Sequence, residues 1–489
     1  MSMSTTTGAT RVSSVDVACA QARETAPWFA ATDLSTRAGL LEAIADAVDA
    51  HIDELVPIAM AESRLGEERL RGEVGRTTGQ LRLMANVVRD GAFLGVVIDH
   101  ADPSLTPPRP DLRRMNIPLG PVAVFAASNF PFAFSTLGGD TASALASGCP
   151  VVVKPNPGHP QLSDAIMAVA QDALVAAGAP DGVLGLVDES LQAGIDLVND
   201  DRIDAVAFTG SQRGGLALAK IAADRPRPIP FFGELGSINP MFVTADYLAG
   251  REAELAAGFV GSFTLGAGQF CTKPGLLIAP QDETLRAALI EAVGGAPGQR
   301  MLTDGIRDMF LAGVDARVSI RDVEVLHAGG LDDANDAVRP TLMAVSAKAI
   351  LAHPELLEEC FGPMSLLVEY DDAEQMLRIA DALPGLLAAG VHATGDESVL
   401  AELLPRLTAH AGRVLWGGWP TGVAVTWSMQ HGGPFPATTR PESTSVGAAA
   451  VQRFIRPVTY QSVPEEWLSP ALHDANPWAI PQRVDGVLD

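Results

Sequence analysis

Apolar residues recur at helical spacing through residues 35–64, where Leu40, Leu41, Ile44, Val48, Ile52 and Leu55 share a face. Pro57 fits early in a second helix starting near Asp53, where a missing N–H costs least. From Val122 the pattern changes. Continuous apolar runs, "VAVFAAS" (122–128), "VVVK" (151–154), "VLGLV" (183–187) and "DAVAFTG" (204–210), alternate with helical stretches around 135–147, at 162–177 and in "RGGLALAKIAAD". Strands apolar on both faces, separated by amphipathic helices, predict a parallel sheet covered on both sides. After Pro240 a second α/β unit is expected, with strands in "GLLIAP" (275–280), "SLLVEY" (365–370) and "AGVHAT" (389–394). "DPSLTPPRPDLRR" (102–114) reads as an extended excursion. The tail from Val451, "VQRFIRPVTYQSVPEEW", alternates apolar residues with prolines and suits an edge or exchanged strand.

Composition narrows the class. A chain of 489 residues exceeds one hydrophobic core, so two or three domains are expected. The net charge of −25 argues against a nucleic-acid partner, because phosphate backbones are held mainly by Lys and Arg. An anionic cofactor would have to be held locally, by helix N-termini and a few placed cations. Cys19, Cys149, Cys271 and Cys360 form no CxxC pair, so neither a disulfide framework nor a metal site is expected. The uncharged stretch around 116–139 is broken by Pro118, Pro121, Asn129 and Pro131, and reads as buried strand and turn rather than a membrane span. "MSMSTTTGATRVSS" lacks the apolar segment of a secretory signal, so a cytoplasmic location is expected.

Ligands of parallel α/β sheets bind beyond the carboxyl ends of the strands. Asn129, Lys154 and Thr209-Gly210 each follow a predicted strand, which places them at one shared site. Cys271 stands in "GAGQFCTKPG" (266–275), where small residues let the backbone approach a ligand closely, as attack on a carbonyl requires. The same residue type, taken alone, is more often an inert buried hydrophobe. Glu234 lies among Phe231, Phe232 and Leu235, where burial is expected to raise its pKa towards neutrality and make it a general base. A structural glutamate bonded to backbone amides is the other reading. Asn129 has an amide to offer a developing oxyanion, or a place in a turn. "TGSQRGG" (209–215) opens a helix suited to a pyrophosphate, without the GxGxxG order.

Six segments, "ASNFPF", "VVVKPNPGHP", "FTGSQRGG", "FGELGSINP", "GQFCTKPG" and "EECFGP", follow the order and approximate spacing of the NAD(P)-dependent aldehyde dehydrogenases. The chain resembles that family from about residue 30 to its C-terminus. "GGDTASALASGCPVVVKP", "HGGPFPATT" and "NPWAIPQRVDG" resemble the branch holding the α-ketoglutaric semialdehyde dehydrogenases and related bacterial NADP-dependent enzymes. The resemblance implies an α/β fold with a Rossmann-type cofactor domain (1–101 and 116–235) and an α/β catalytic domain (236–450). It also implies a small β oligomerisation flap with the tail (102–115 and 451–489), and a homodimer or homotetramer. Cys271 then corresponds to the nucleophile, Asn129 with the Cys271 backbone N–H to the oxyanion hole, and Glu234 to the base that activates water. Lys154 and Asn156 would hold the adenosine ribose, and Thr209, Gly210, Ser211 and Gly215 the pyrophosphate. Glu359 would hold the nicotinamide ribose, with Phe361 nearby.

Pro157 stands where NAD-preferring members carry an acid three residues after the lysine. A carboxylate there would repel the extra phosphate of NADP, so use of both cofactors with a lean to NADP is expected. The expected substrate is an aldehyde, foremost α-ketoglutaric semialdehyde, with Arg109, Arg113, Arg114 and Arg440 as candidate carboxylate anchors. Trp416, Trp419 and Trp427 are candidates for the tunnel wall. A broad-specificity aldehyde dehydrogenase, a cysteine esterase and a non-catalytic protein on the same fold are the alternatives.

Overall fold

Helices Leu34–Ala50 and Ile52–Ser63 occupy the stretch whose periodicity predicts them. Asp33 caps the first by accepting from the Thr36 N–H at 2.8 Å. Pro57 lies within the second, and Leu40, Leu41, Ile44, Val48 and Leu55 are all buried. The computed structural model describes residues 12–332 and 334–488, so residues 1–11 of the segment read for a secretory signal lie outside the described residues. Two further helices, Val15–Ala30 and Glu67–Asp90, flank this pair. The second buries Leu70, Val74, Leu81, Met84 and Val88 while presenting several arginines elsewhere on its surface.

Strands β1 (Val96–Asp99) and β2 (Leu112–Pro118) pair antiparallel. The chain then builds β3 (Val122–Phe125), β4 (Val151–Lys154), β5 (Leu184–Leu186), β6 (Ala205–Thr209) and β7 (Phe231–Glu234). These form an all-parallel sheet in the order β5-β4-β3-β6-β7. Its buried strands carry almost unbroken apolar runs because helices cover both faces. The small-residue helix expected from about 135 begins at Gly139. Residues 133–138 instead turn back on themselves, with Gly139 N–H donating to the Ala133 carbonyl at 3.2 Å. The winding direction reverses at β3, which opens a crevice beyond the carboxyl ends of β3 and β6.

A seven-stranded sheet follows, from β8 (Pro240–Val243), β9 (Leu276–Pro280), β10 (Glu324–His327), β13 (Thr341–Ser346), β14 (Met364–Tyr370), β15 (Leu386–His392) and β16 (Ala411–Trp416). Its order is β10-β13-β14-β9-β8-β15-β16, parallel except for the β10 pairing; β11 (Gly330–Asp332) and β12 (Ala337–Arg339) form a separate hairpin. Finally β17 (Ile455–Gln461), β18 (Gln482–Val484) and β19 (Val487–Leu488) return to β1 and β2, giving the order β17-β2-β1-β18-β19. β17 lies at the end of that sheet, as its prolines and alternating pattern predict, with Pro457 opposite Asn116. No helix among the described residues is long and apolar enough to cross a membrane.

Candidate active site

Cys271 is delivered by a turn, not by a regular element. Helix Glu252–Thr264 ends, and the chain reverses through Gly266 and Gly268, both at positive φ (56° and 64°). A Cβ on Gly268 would lie 2.3 Å from the Gly362 carbonyl oxygen, so only glycine lets this turn press against the segment carrying Glu359 and Phe361. Below the turn, Asn239 Nδ2 donates to the carbonyls of Cys271 (2.8 Å) and Lys273 (3.0 Å). Lys273 Nζ in turn donates to the carbonyls of Cys360 (2.8 Å) and Met364 (2.7 Å). The nucleophile segment and the Glu359 segment are thereby tied together. All four cysteines are free; Cys19, Cys149 and Cys360 are buried and Cys271 is half-buried. The surroundings of Cys271 set it apart.

Glu234 ends β7, fixed by its carbonyl accepting from Gly210 N–H at 3.1 Å and by a bridge to Thr438. The segment running from Gln430 to Val446 folds over it. His431 N–H donates to Thr444 Oγ1 (2.8 Å), and Ser445 N–H donates to the His431 carbonyl (2.9 Å). This ring of bonds aims two side chains at one carboxylate. His431 Nε2 lies 2.9 Å from Glu234 Oε1, and Ser445 Oγ donates to Glu234 Oε2. His431 Nε2 is also 3.4 Å from Cys271 Sγ, and the sulfur, the imidazole nitrogen and the carboxylate all lie within 4.8 Å of one another.

Electrostatics follow from that crowding. Burial pushes the Cys271 thiol well above its usual range, and the Glu234 and Glu359 carboxylates push it further, with Arg76 opposing. The sulfur therefore keeps its proton until a neighbouring base takes it. For Glu234 the expected direction is overturned. Burial does raise its carboxyl, but His431 and the hydrogen bonds from His431, Ser445 and Cys271 outweigh it and hold the group below the ordinary glutamate range. The sequence shows the flanking phenylalanines and leucine; it does not show the histidine and serine that arrive from nearly two hundred residues away.

The other expected residues fall around this centre. Asn129 Nδ2, buried, donates to the Gln269 carbonyl at 3.0 Å, two residues before the cysteine. Lys154 ends β4, and its side chain makes no hydrogen bond or ion pair among the described residues; burial lowers its ammonium pKa while Glu189 and Asp188 oppose. Asn156 Nδ2 donates to the Ala126 carbonyl at 3.3 Å, and its Oδ1 accepts from Gly158 N–H at 2.9 Å. Thr209 Oγ1 lies 3.5 Å from Asp140. Ser211 caps helix Gln212–Asp224 by accepting from Gly214 N–H, and a Cβ on Gly215 would meet Leu235 at 2.3 Å, so the helix seats directly on β6 and β7. The Glu359 carboxylate lies against Gly236, accepts from Ser237 N–H and is raised by burial, with Lys273 opposing. Phe361 is half-buried beside it in sequence.

An unpartnered lysine, a capped helix N-terminus beyond the sheet and an inward glutamate are a donor set that fits a dinucleotide. The candidate anchors Arg109 and Arg113 do not face this centre. Arg109 pairs with Asp485, and Arg113 with Asp111, Glu465 and Asp474, all within the β1–β2–β17 sheet region. Arg114 sits on β2, and Arg440 stacks over Phe232 and pairs with exposed Glu442. Trp419 packs on His392 and Phe259, while Trp416 and Trp427 are exposed.

The model of the aldehyde dehydrogenase family matches residues 2–434. The chain is 46% identical over 478 residues to alpha-ketoglutaric semialdehyde dehydrogenase 2 of Azospirillum brasilense, covering 96% of this chain and 91% of that one. It is 43% identical over 465 residues to the alpha-ketoglutaric semialdehyde dehydrogenase of Acinetobacter baylyi, covering 94% and 88% respectively. Among solved structures, glyceraldehyde-3-phosphate dehydrogenase GapN of Methanocaldococcus jannaschii, complexed with NADP, aligns with a TM-score of 0.77 at 19% identity. That alignment covers 91% of this chain and 93% of the other.

Proposed function

We propose that this chain, which belongs to the aldehyde dehydrogenase family, oxidises α-ketoglutaric semialdehyde to 2-oxoglutarate with a nicotinamide cofactor. The observation that carries the chemistry is the meeting of half-buried Cys271 Sγ with the buried His431 Nε2 and Glu234 carboxylate. The substrate rests on the two relatives that are nearly half identical across almost their whole length.

Glu234, with His431 alongside, takes the thiol proton, and the Cys271 sulfur attacks the aldehyde carbon. The Asn129 amide donates to the oxygen that becomes negative. A nicotinamide bound beside Cys271 would supply the oxidising equivalent, as a hydride acceptor. Lys154 and Asn156 would hold its adenosine ribose, Thr209, Gly210, Ser211 and Gly215 its pyrophosphate, and Glu359 with Phe361 its nicotinamide ribose. The carbon is then held on Cys271 as a thioester. Glu234 releases the thiol proton to solvent and then removes a proton from water; water attacks the acyl carbon, and Glu234 returns that second proton to the departing sulfur.

The pH profile follows from the two shifts. Thioester formation starts from the protonated Cys271 thiol beside ionised Glu234; the thiol is raised and the carboxyl depressed, so that pair persists and the rate stays level from about pH 6 to 8. Hydrolysis needs Glu234 ionised, and that carboxyl is depressed, so its rate stays level down to the ordinary glutamate range of about 4. Single-turnover and steady-state rates separate the two. An acid limb near pH 6 in the hydrolytic step would contradict the depressed carboxylate.

The assay for the function compares 2,5-dioxopentanoate with a medium-chain aliphatic aldehyde, each with NAD and with NADP. A higher kcat/KM for the keto acid is the expected result; preference for the aliphatic aldehyde would recast the protein as a general aldehyde oxidant. Both cofactors are expected to work, with NADP favoured by no more than about tenfold. Pro157 removes one acid from the adenosine ribose, but Asp188 and Glu189 still face Lys154. Turnover with NAD and none with NADP would refute the lean. The terminal position of β17 supports a homodimer, or a tetramer of dimers. Four free cysteines support a cytoplasmic location.

A further inference from the structure

Three arginines surround the reacting centre, and two of them are already engaged. Arg69 pairs with Glu73 at 3.1 Å and donates to the Asn129 carbonyl at 2.7 Å. Arg413, on β16, donates through both terminal nitrogens to the carbonyls of Gly422 and Pro420. Arg76 makes no hydrogen bond or ion pair among the described residues, and its Nε and Nη2 are buried without a partner. Arg317 and Arg413 each keep one buried Nε unbonded, but both donate through their terminal nitrogens, which Arg76 does not. Arg37 donates to Thr32, Phe29, Ala30 and Ala146, and Arg453 to Asp140, Ser143 and Ala450. Two guanidinium nitrogens out of water and unbonded cost free energy, and that cost is recovered when an anion binds there.

The place is as informative as the vacancy in its bonding. Arg76 lies over Phe130 (5.7 Å to the ring centroid) and Phe134 (5.2 Å). Phe130 packs edge-on against Phe270, the residue before the nucleophile, and Phe134 packs against the His431 ring. Each ring under Arg76 therefore touches a neighbour of the reacting sulfur. Glu73, the nearest acid on the same helix, is occupied by Arg69 and by the Phe132 N–H. Cys271 and Glu234 are within electrostatic reach, and the Glu234 carboxylate is itself held by His431 and Ser445.

The keto acid semialdehyde carries its carboxylate four carbon–carbon bonds from the aldehyde, about 5 Å away. Its partner must therefore stand in the second layer around Cys271, which is where Arg76 is. We propose that Arg76 receives the substrate's distal carboxylate, and that its planar face is held for that task by Phe130 and Phe134. The two rings restrict the long side chain before substrate arrives, so less entropy is lost when the ion pair forms. The inference rests on the semialdehyde reading above and adds the residue that enforces it.

The test measures kcat/KM for 2,5-dioxopentanoate and for pentanal, an aldehyde of equal length without the carboxylate, in the native enzyme, R76M and R76K. In R76M the ratio of the two is expected to fall about 100-fold, chiefly through KM for the keto acid. In R76K, which keeps the charge but not the fork, it should fall about tenfold. A ratio within about threefold of the native value in the variants overturns the inference, even if both rates drop, because a purely structural arginine would damage both substrates alike. No preference for the keto acid in the native enzyme overturns the substrate reading and the inference together. Should R76M fail to fold, R76K decides.

Discussion

Replacing Cys271 by alanine is expected to remove aldehyde oxidation, with kcat falling at least about 10⁴-fold. No other sulfur can take its place. Cys360 is the nearest in the chain, yet it is buried in the core of the seven-stranded sheet, with its thiol raised by burial. The loss should include any hydrolysis of activated esters, since that side reaction would use the same sulfur. Dinucleotide affinity should survive, because Lys154, Ser211 and Glu359 belong to other segments. Stopped-flow absorbance of the reduced nicotinamide together with equilibrium cofactor binding checks both halves. Retained oxidation would remove Cys271 from the mechanism.

Glu234→Gln should divide the reaction rather than abolish it. Glutamine nearly preserves shape but cannot take a proton from water, so acyl transfer to water slows by about 100-fold or more. Reduced nicotinamide then appears as a burst close to one equivalent per active site, followed by slow turnover. The burst itself should also slow, because the carboxylate sits within reach of the thiol proton. Its slowing should be the smaller effect, since His431 Nε2 remains 3.4 Å from the sulfur. Unchanged steady-state turnover would end the assignment of Glu234 as the base.

The sequence was most readable where local pattern and tertiary packing agree. Strands β3, β4, β5 and β6 are apolar on both faces because helices bury both, and the same pattern that buries them announces them. Helix Glu67–Asp90 was not announced. Its buried face carries Glu73, Thr77, Thr78 and Gln80 among the apolar residues, so the pattern of apolar positions alone does not reveal it. Arg69 and Arg76 went unread with it. Cys271, Glu234 and Asn129 stood out because each is an unexpected residue among small or apolar neighbours. His431 gave a fainter signal, a histidine before paired glycines in "HGGPFPATT", and its partners Thr444 and Ser445 look like ordinary loop residues. Only the folded segment shows that this loop brings an imidazole and a hydroxyl onto the carboxylate. The depressed Glu234 carboxyl has the same origin. Local sequence supplies the apolar shell that raises it, and distant sequence supplies the histidine and serine that lower it.

The most direct measurement is the intact mass of E234Q, quenched in acid after mixing with 2,5-dioxopentanoate and NADP, followed by peptide mapping. A 2-oxoglutaryl adduct on the peptide bearing Cys271, labile to hydroxylamine and absent without cofactor, is the predicted result. No adduct despite a full burst of reduced cofactor, or an adduct on another residue, would contradict oxidation through a Cys271 thioester.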